Sequence, residues 1–268
     1  MTIALFIVAG LLVGQFLVWC ADRLPLERSL LSASDCPACG GSLAAGRPLE
    51  RWVVALGWRR CEAEGMRLRL RSIVMILVTA AGFGYLGARI GFTMPALPLS
   101  LYWAIFVLIT VIDLEHRLIL NVVIFPAILL AIAGSFVTPD PGIRRALLGG
   151  VTGFVFVYLI YLLGALFARL MARRRGRPID EVAFGAGDVK LAAFIGIVTG
   201  LPGVVFALVI GILTGGVAAA AYLGWQVFVR RHYVAFAAIP YGPFLVAGAL
   251  VMMLYGPQIL NWYLSAYR

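Results

Sequence analysis

Apolar runs of membrane-spanning length alternate with short polar segments along nearly the whole chain. The first run goes from Thr2 to about Trp19, close to the roughly 20 residues that a helix needs to cross a bilayer. It lacks a small-residue cleavage site, so the pattern predicts a retained helix and not a signal peptide. Further runs follow at Ser72–Ile90, Pro95–Ile112, Ile119–Val137 and Ala146–Met171. A short run, Leu191–Gly200, precedes the turn sequence Leu201-Pro202-Gly203, and Val204–Val229 crosses again. The last run, Val234 to about Tyr263, is interrupted by Pro240, Gly242 and Pro243. The reading is an all-α polytopic membrane protein of about eight transmembrane helices. It divides into a first helix (1–20), a polar loop domain (21–71) and a transmembrane core (72–268).

Composition agrees: 63% of residues are hydrophobic, 13% are charged, and the mean hydropathy is +1.00. A soluble chain of this length has too little interior for so much apolar surface. The net charge of +10 raises nucleic acid as a partner, but the basic residues sit in loops between apolar runs, which marks membrane topology instead. Segment 21–71 alone holds nine arginines against six acids. If that loop is cytoplasmic, then Arg117, the Arg173–Arg177 cluster, Lys190 and Arg230–Arg231 fall on the same side. Only Arg89, Arg144, Arg145 and Arg268 fall on or near the other. Both termini are therefore expected outside, with lipid as the surrounding partner.

Of the six aspartates, Asp113 and Asp188 alone lie directly against an apolar run. A carboxylate at the mouth of a span is costly and points to function. The charge topology puts both at one membrane face, although 75 positions separate them. Two carboxylates close together cannot both ionise; they share a proton and hold an acid and a base at once, as peptide hydrolysis requires. Asp188 sits in Gly185-Ala186-Gly187-Asp188-Val189-Lys190. There the glycines are expected to permit positive φ and a close approach by another chain. Lys190 either orients a carboxylate or a substrate carbonyl, or snorkels at a helix end. Two other classes compete with hydrolysis. In a transporter the two aspartates would relay protons or bind a cation, but such sites favour the bilayer midplane and inverted repeats, and no repeat is evident here. A non-catalytic scaffold would use the cytoplasmic loop to hold an assembly.

Three of the four cysteines cluster in that loop. Cys36-Pro37-Ala38-Cys39 has the spacing of a zinc knuckle, and Cys61-Glu62-Ala63-Glu64 offers a second half-site. Zinc accepts thiolate and carboxylate alike, so a Cys36, Cys39, Cys61, Glu64 site and a degenerate site with free thiols both stand. Cys20, at the end of the first run, is expected to be packed.

Two motifs, Ile112-Asp113-Leu114-Glu115-His116-Arg117-Leu118-Ile119 and Gly185-Ala186-Gly187-Asp188-Val189-Lys190-Leu191, resemble the two catalytic motifs of the type IV prepilin peptidases. Those enzymes are polytopic GxGD aspartyl proteases. Gly14-Gln15-Phe16-Leu17 with Arg23-Leu24-Pro25 is similar to that family's opening segment, and Ile239-Pro240-Tyr241-Gly242-Pro243-Phe244 to its closing one. One departure is Leu120, where the family usually has proline. The resemblance implies that Asp113 and Asp188 cleave the basic leader from prepilins or pseudopilins at the cytoplasmic face of a bacterial inner membrane. Gly185, Gly187 and Lys190 would support them. It further implies methylation of the new N-terminus from S-adenosylmethionine, with the altered second CxxC pair bearing on that activity. No glycine-rich loop independently marks a site for that donor.

Overall fold

The computed structural model describes residues 1–27, 66–175, 185–226 and 240–266, without the side chains of 66–69 and 172–175. Among them are eight α-helices: α1 (Thr2–Arg23), α2 (Met66–Ile90), α3 (Ala96–His116), α4 (Asn121–Gly134), α5 (Gly142–Arg175), α6 (Ala186–Thr199), α7 (Gly203–Trp225) and α8 (Gly242–Ser265). A 3-10 turn, Leu24–Leu26, follows α1. Six helices carry stretches long and apolar enough to cross a membrane, from Thr2–Leu26 to Gly242–Ser265. The exceptions are α4 and α6, with 14 residues each. At 1.5 Å per residue, about 21 Å of helix falls short of a hydrocarbon core roughly 30 Å thick. The protein is therefore an all-α, multi-pass membrane protein. Many large apolar side chains of α5, among them Leu148, Val151, Leu159, Leu163 and Phe167, are exposed, as a lipid-facing surface requires.

The chain falls into two compact units, Met1–Ile112 and Asp113–Arg268. In the first, small residues let α1 and α2 approach closely. A Cβ on Gly10 would lie 2.7 Å from the Ala80 Cα, and one on Gly14 would lie 2.9 Å from the Ile76 Cα. Helices in lipid associate through this kind of contact, because apolar burial alone gives little preference for protein over lipid. Trp103 fills the notch at Gly82 and donates its indole N–H to the Val78 carbonyl at 3.2 Å. The Arg71 guanidinium pairs with the Asp22 carboxylate.

The second unit is built around α6. Beyond Lys190 this short helix is apolar on all sides, with Leu191, Ala192, Phe194 and Ile195 fully buried, and it packs against α4, α5, α7 and α8. Such a helix belongs inside a bundle. Gly149 and Gly153 of α5 bring that backbone within reach of α6. A Cβ at either would lie 2.2–2.3 Å from the carbonyl oxygen of Gly196 or Ala192. Gly248 of α8 meets the Ala207 carbonyl of α7 in the same way. These contacts pack the middle and C-terminal end of α6 against α5, and α8 against α7.

Several predicted boundaries move. Helix α6 starts at Ala186, five residues before the apolar run at Leu191, because an N-terminal cap extends it through the polar segment. Helix α5 continues to Arg175, since arginine propagates a helix well even where hydropathy fails. The last helix starts at Gly242 with a proline in its first turn, a position that needs no amide hydrogen. The cysteine-loop residues Cys36, Cys39, Cys61 and Glu64 lie outside the described residues, so the zinc expectation does too. Cys20 is buried, as expected.

Candidate active site

Asp113 stands one turn from the end of α3. The helix stops behind it with Arg117 in the left-handed region (φ 55), whose N–H reaches back to the Asp113 carbonyl at 2.9 Å. The Asp113 side chain is 5% exposed. Its Oδ2 accepts the backbone N–H of Gly242 at 3.0 Å, a bond across 129 positions of sequence. Gly242 is the first residue of α8, so the carboxylate faces the positive end of that helix. A Cβ at Gly242 would stand 2.6 Å from that same oxygen. The seat requires glycine for close approach.

Asp188 is the third residue of α6. Its Oδ2 accepts the Gly185 N–H at 2.8 Å, while the Asp188 N–H returns to the Gly185 carbonyl at 3.1 Å. This is half of a capping box; the glycine has no side chain to complete the other half. Gly185 lies at φ −88, ψ 164, an extended conformation open to any residue. The expectation of positive φ is therefore corrected: among the described glycines, positive φ occurs at Gly91, Gly142 and Gly200. Gly187 instead provides space. A Cβ there would stand 2.9 Å from the Ile119 Cβ, whereas one at Gly185 meets nothing nearer than 3.7 Å.

Asp188 lies outside the six long spans. Burial pushes its carboxyl up to about 6; the Gly185 N–H pulls it down, and the nearby charge of Asp113 pushes it up again. Tyr241, the residue before α8, is also raised, by burial and then by the charge of Asp188. Asp113, Asp188 and the Tyr241–Gly242 turn thus share one electrostatic neighbourhood within the second unit.

Lys190 donates from Nζ to the Asn121 Oδ1 at 2.6 Å, with its ammonium 5.5 Å from the centre of the Phe125 ring. The sequence offered a carboxylate, a substrate carbonyl or snorkelling at a helix end for this lysine; the observed partner is the first residue of α4. Asn121 was missed because nothing in a polar residue at a helix start announces a partner 69 positions away. Gly242 entered only through a motif, without a role. Among the described residues no group of His, Cys, Asp and Glu is arranged to hold a metal ion.

The fold and site define a multi-pass helical membrane protein in which a buried and a half-buried carboxylate, each seated on a glycine N–H at a helix start, share one electrostatic neighbourhood. Residues 99–220, which include both Asp113 and Asp188, match the model of the type IV leader peptidase family. The chain is 26% identical to a prepilin leader peptidase/N-methyltransferase of Bacillus subtilis (strain 168), over 98% of each chain. A protein of the same name from Pseudomonas aeruginosa is 27% identical over 97% of this chain and 92% of its own. The Myxococcus xanthus counterpart is 31% identical, over 70% of this chain and 53% of its own. No solved structure matches the chain.

Proposed function

We propose that the protein is an aspartyl endopeptidase that removes the basic leader from prepilins or pseudopilins at the cytoplasmic face of the inner membrane. The observation that carries this reading is the pair of seats just described. Two carboxylates, each anchored by a glycine N–H at a helix start, lie close enough for one to raise the other. In such a pair the ionised member takes a proton from a water held between them. The water oxygen attacks the scissile carbonyl, and the protonated member donates to the carbonyl oxygen. Collapse of the tetrahedral intermediate then sends a proton to the leaving amine. The pair titrates as a unit, with apparent values that belong to both residues. The arginine distribution supports the cytoplasmic placement, where a hydrophilic leader reaches the site while the substrate's apolar helix stays in lipid.

The names of the relatives support a second step, methylation of the new N-terminus with S-adenosylmethionine as donor. Cys36, Cys39, Cys61 and Glu64 would hold a structural zinc in the cytoplasmic loop. Equimolar zinc in the purified protein, lost in Cys36→Ser, is the expected result; zinc-free protein with both activities intact overturns that site.

The deciding experiment is cleavage of a prepilin-like substrate in membranes by wild type, Asp113→Asn and Asp188→Asn. Asparagine keeps the shape but cannot share the proton. The expected loss in each variant is at least about 1,000-fold with folding retained, in the range seen when a unit of catalytic machinery is broken. Cleavage at the wild-type rate by either variant overturns the aspartyl mechanism and returns the transporter and scaffold readings. Product mass in the same sample reports the methyl group.

A further inference from the structure

The segment that follows Asp113 touches the first turn of α6 at two points. Ile119 occupies the space that a Gly187 side chain would need, so closely that a Cβ there would stand 2.9 Å from the Ile119 Cβ. Two residues further on, Asn121 Oδ1 accepts a hydrogen bond from Lys190 Nζ at 2.6 Å. Asn121 and Phe125 are four apart on α4 and so share one face. Together they give the ammonium an amide oxygen and a ring, the ring centre 5.5 Å away. The two contacts bracket Asp188: Gly187 immediately precedes it, and Lys190 follows by two residues.

We propose that Asn121 and Lys190 are positioning residues: with Ile119 in the Gly187 notch they clasp the first turn of α6 to the Asp113 segment, and so set the approach of Asp188 to Asp113. This inference rests on the paired-aspartate reading. It assigns Lys190 no contact with substrate. Its ammonium acts through Asn121, and the quantity it controls is the separation of two carboxylates that must share a proton.

The physical consequence is specific. With the clasp broken, the α6 turn relaxes away from Asp113, and both burial and the neighbouring charge act less on Asp188. The groups facing Asp188 are Asp113 from α3, the Gly185 N–H from its own cap and Tyr241 from the α8 approach. Of these, the first depends on the clasp. The high-pH limb of activity therefore moves to lower pH in clasp variants. The midpoint of that limb does not depend on how much enzyme folds, so reduced expression leaves the test intact.

The experiment measures kcat, KM and the pH profile for a prepilin-like substrate with Asn121→Ala, Lys190→Met, the double variant and Asn121→Asp. Asp113→Asn and Asp188→Asn are assayed in parallel. The expected result is a kcat lower by about 10- to 100-fold in either single variant with KM little changed, since misplacement of about 1 Å costs on that scale. The double variant is expected to be no worse than the singles, because both remove one interaction. Asn121→Asp, which keeps an oxygen for the ammonium, restores most of the rate. Gly187→Ala is an independent lever: it should shift the limb in the same direction and be relieved by Ile119→Ala. Losses that multiply in the double variant, or an unmoved pH limb in Lys190→Met, overturn the clasp while the inactive aspartate variants leave the dyad standing. Active aspartate variants would instead bring down the dyad reading beneath it.

Discussion

The two carboxylate seats look alike and are built differently. Each aspartate accepts one backbone N–H from a glycine at the start of a helix. For Asp188 that glycine is three residues away, and the seat forms as soon as α6 begins. For Asp113 it is 129 residues away, on the last helix, and the seat exists only once α8 has packed. The glycines differ as well. Gly242 is needed because a Cβ there would crowd the carboxylate oxygen at 2.6 Å, whereas Gly185 sits in ordinary extended backbone where a Cβ would make only ordinary contacts, the nearest at 3.7 Å. A residue's place in a recognisable motif is thus a poor guide to how much the site depends on it.

The largest effect that tests this comparison is expected at Gly242. An alanine Cβ would lie 2.6 Å from the Asp113 Oδ2, so the carboxylate must leave its seat or α8 must shift. Cleavage by Gly242→Ala is expected to fall about 100-fold or more, from displacement of a reacting group. Gly185→Ala, measured in the same assay, is expected to stay within about threefold of wild type, because its φ of −88 suits alanine and the nearest atom is 3.7 Å away. Reversed ranks would show that the Asp188 seat is the constrained one, and the comparison would fail.

The difference between the seats also explains what was legible beforehand. The helices could be read because apolar runs, six of them of spanning length, dominate the pattern. Asp113 and Asp188 stood out because a carboxylate against such a run is rare. The local cap of Asp188 was within reach of sequence: an acid three residues after a glycine, ahead of an apolar helix, is a helix start. It was obscured because hydropathy places the start at Leu191. The bonds from Gly242 to Asp113 and from Lys190 to Asn121 span 129 and 69 positions. No periodicity encodes such pairs. For Gly187 the expected close approach was legible but not its partner, Ile119, and the expected positive φ does not occur, since whether a glycine serves conformation or space depends on the neighbour it meets.

A third prediction uses protonation to separate the seats. Asp188 is raised from an ordinary 3.8 to about 6, first by burial. Its ionisation therefore costs folding free energy: the cost is absent below 3.8 and grows as pH rises through about 6. Asp188→Asn, a permanent mimic of the neutral form, is expected to unfold at a higher temperature than wild type at about pH 7 and at the same temperature at about pH 4. A gap between the two proteins that does not change with pH would remove burial as the cause. Catalysis has the same sign, because hydrolysis needs one proton on the pair and falls as pH rises through its upper apparent value.

The smallest expected effect lies in the link between the two seats, at Leu120. The residue caps α4 at φ −72, ψ 131, within the range that a proline ring imposes, and its carbonyl accepts the N–H groups of Val123 and Ile124. Proline here would leave those acceptor bonds intact and remove conformations only from the unfolded chain. Leu120→Pro is therefore expected to stabilise by about 0.4–1 kcal/mol, read as a slightly higher unfolding temperature in detergent, with cleavage unchanged. The absence of proline at this position then costs the enzyme stability without touching its carboxylates. A drop in unfolding temperature would mean that the Leu120 N–H or side chain holds the segment in place. The rigidity of the Asp113 seat would then begin before Asn121, at the cap itself.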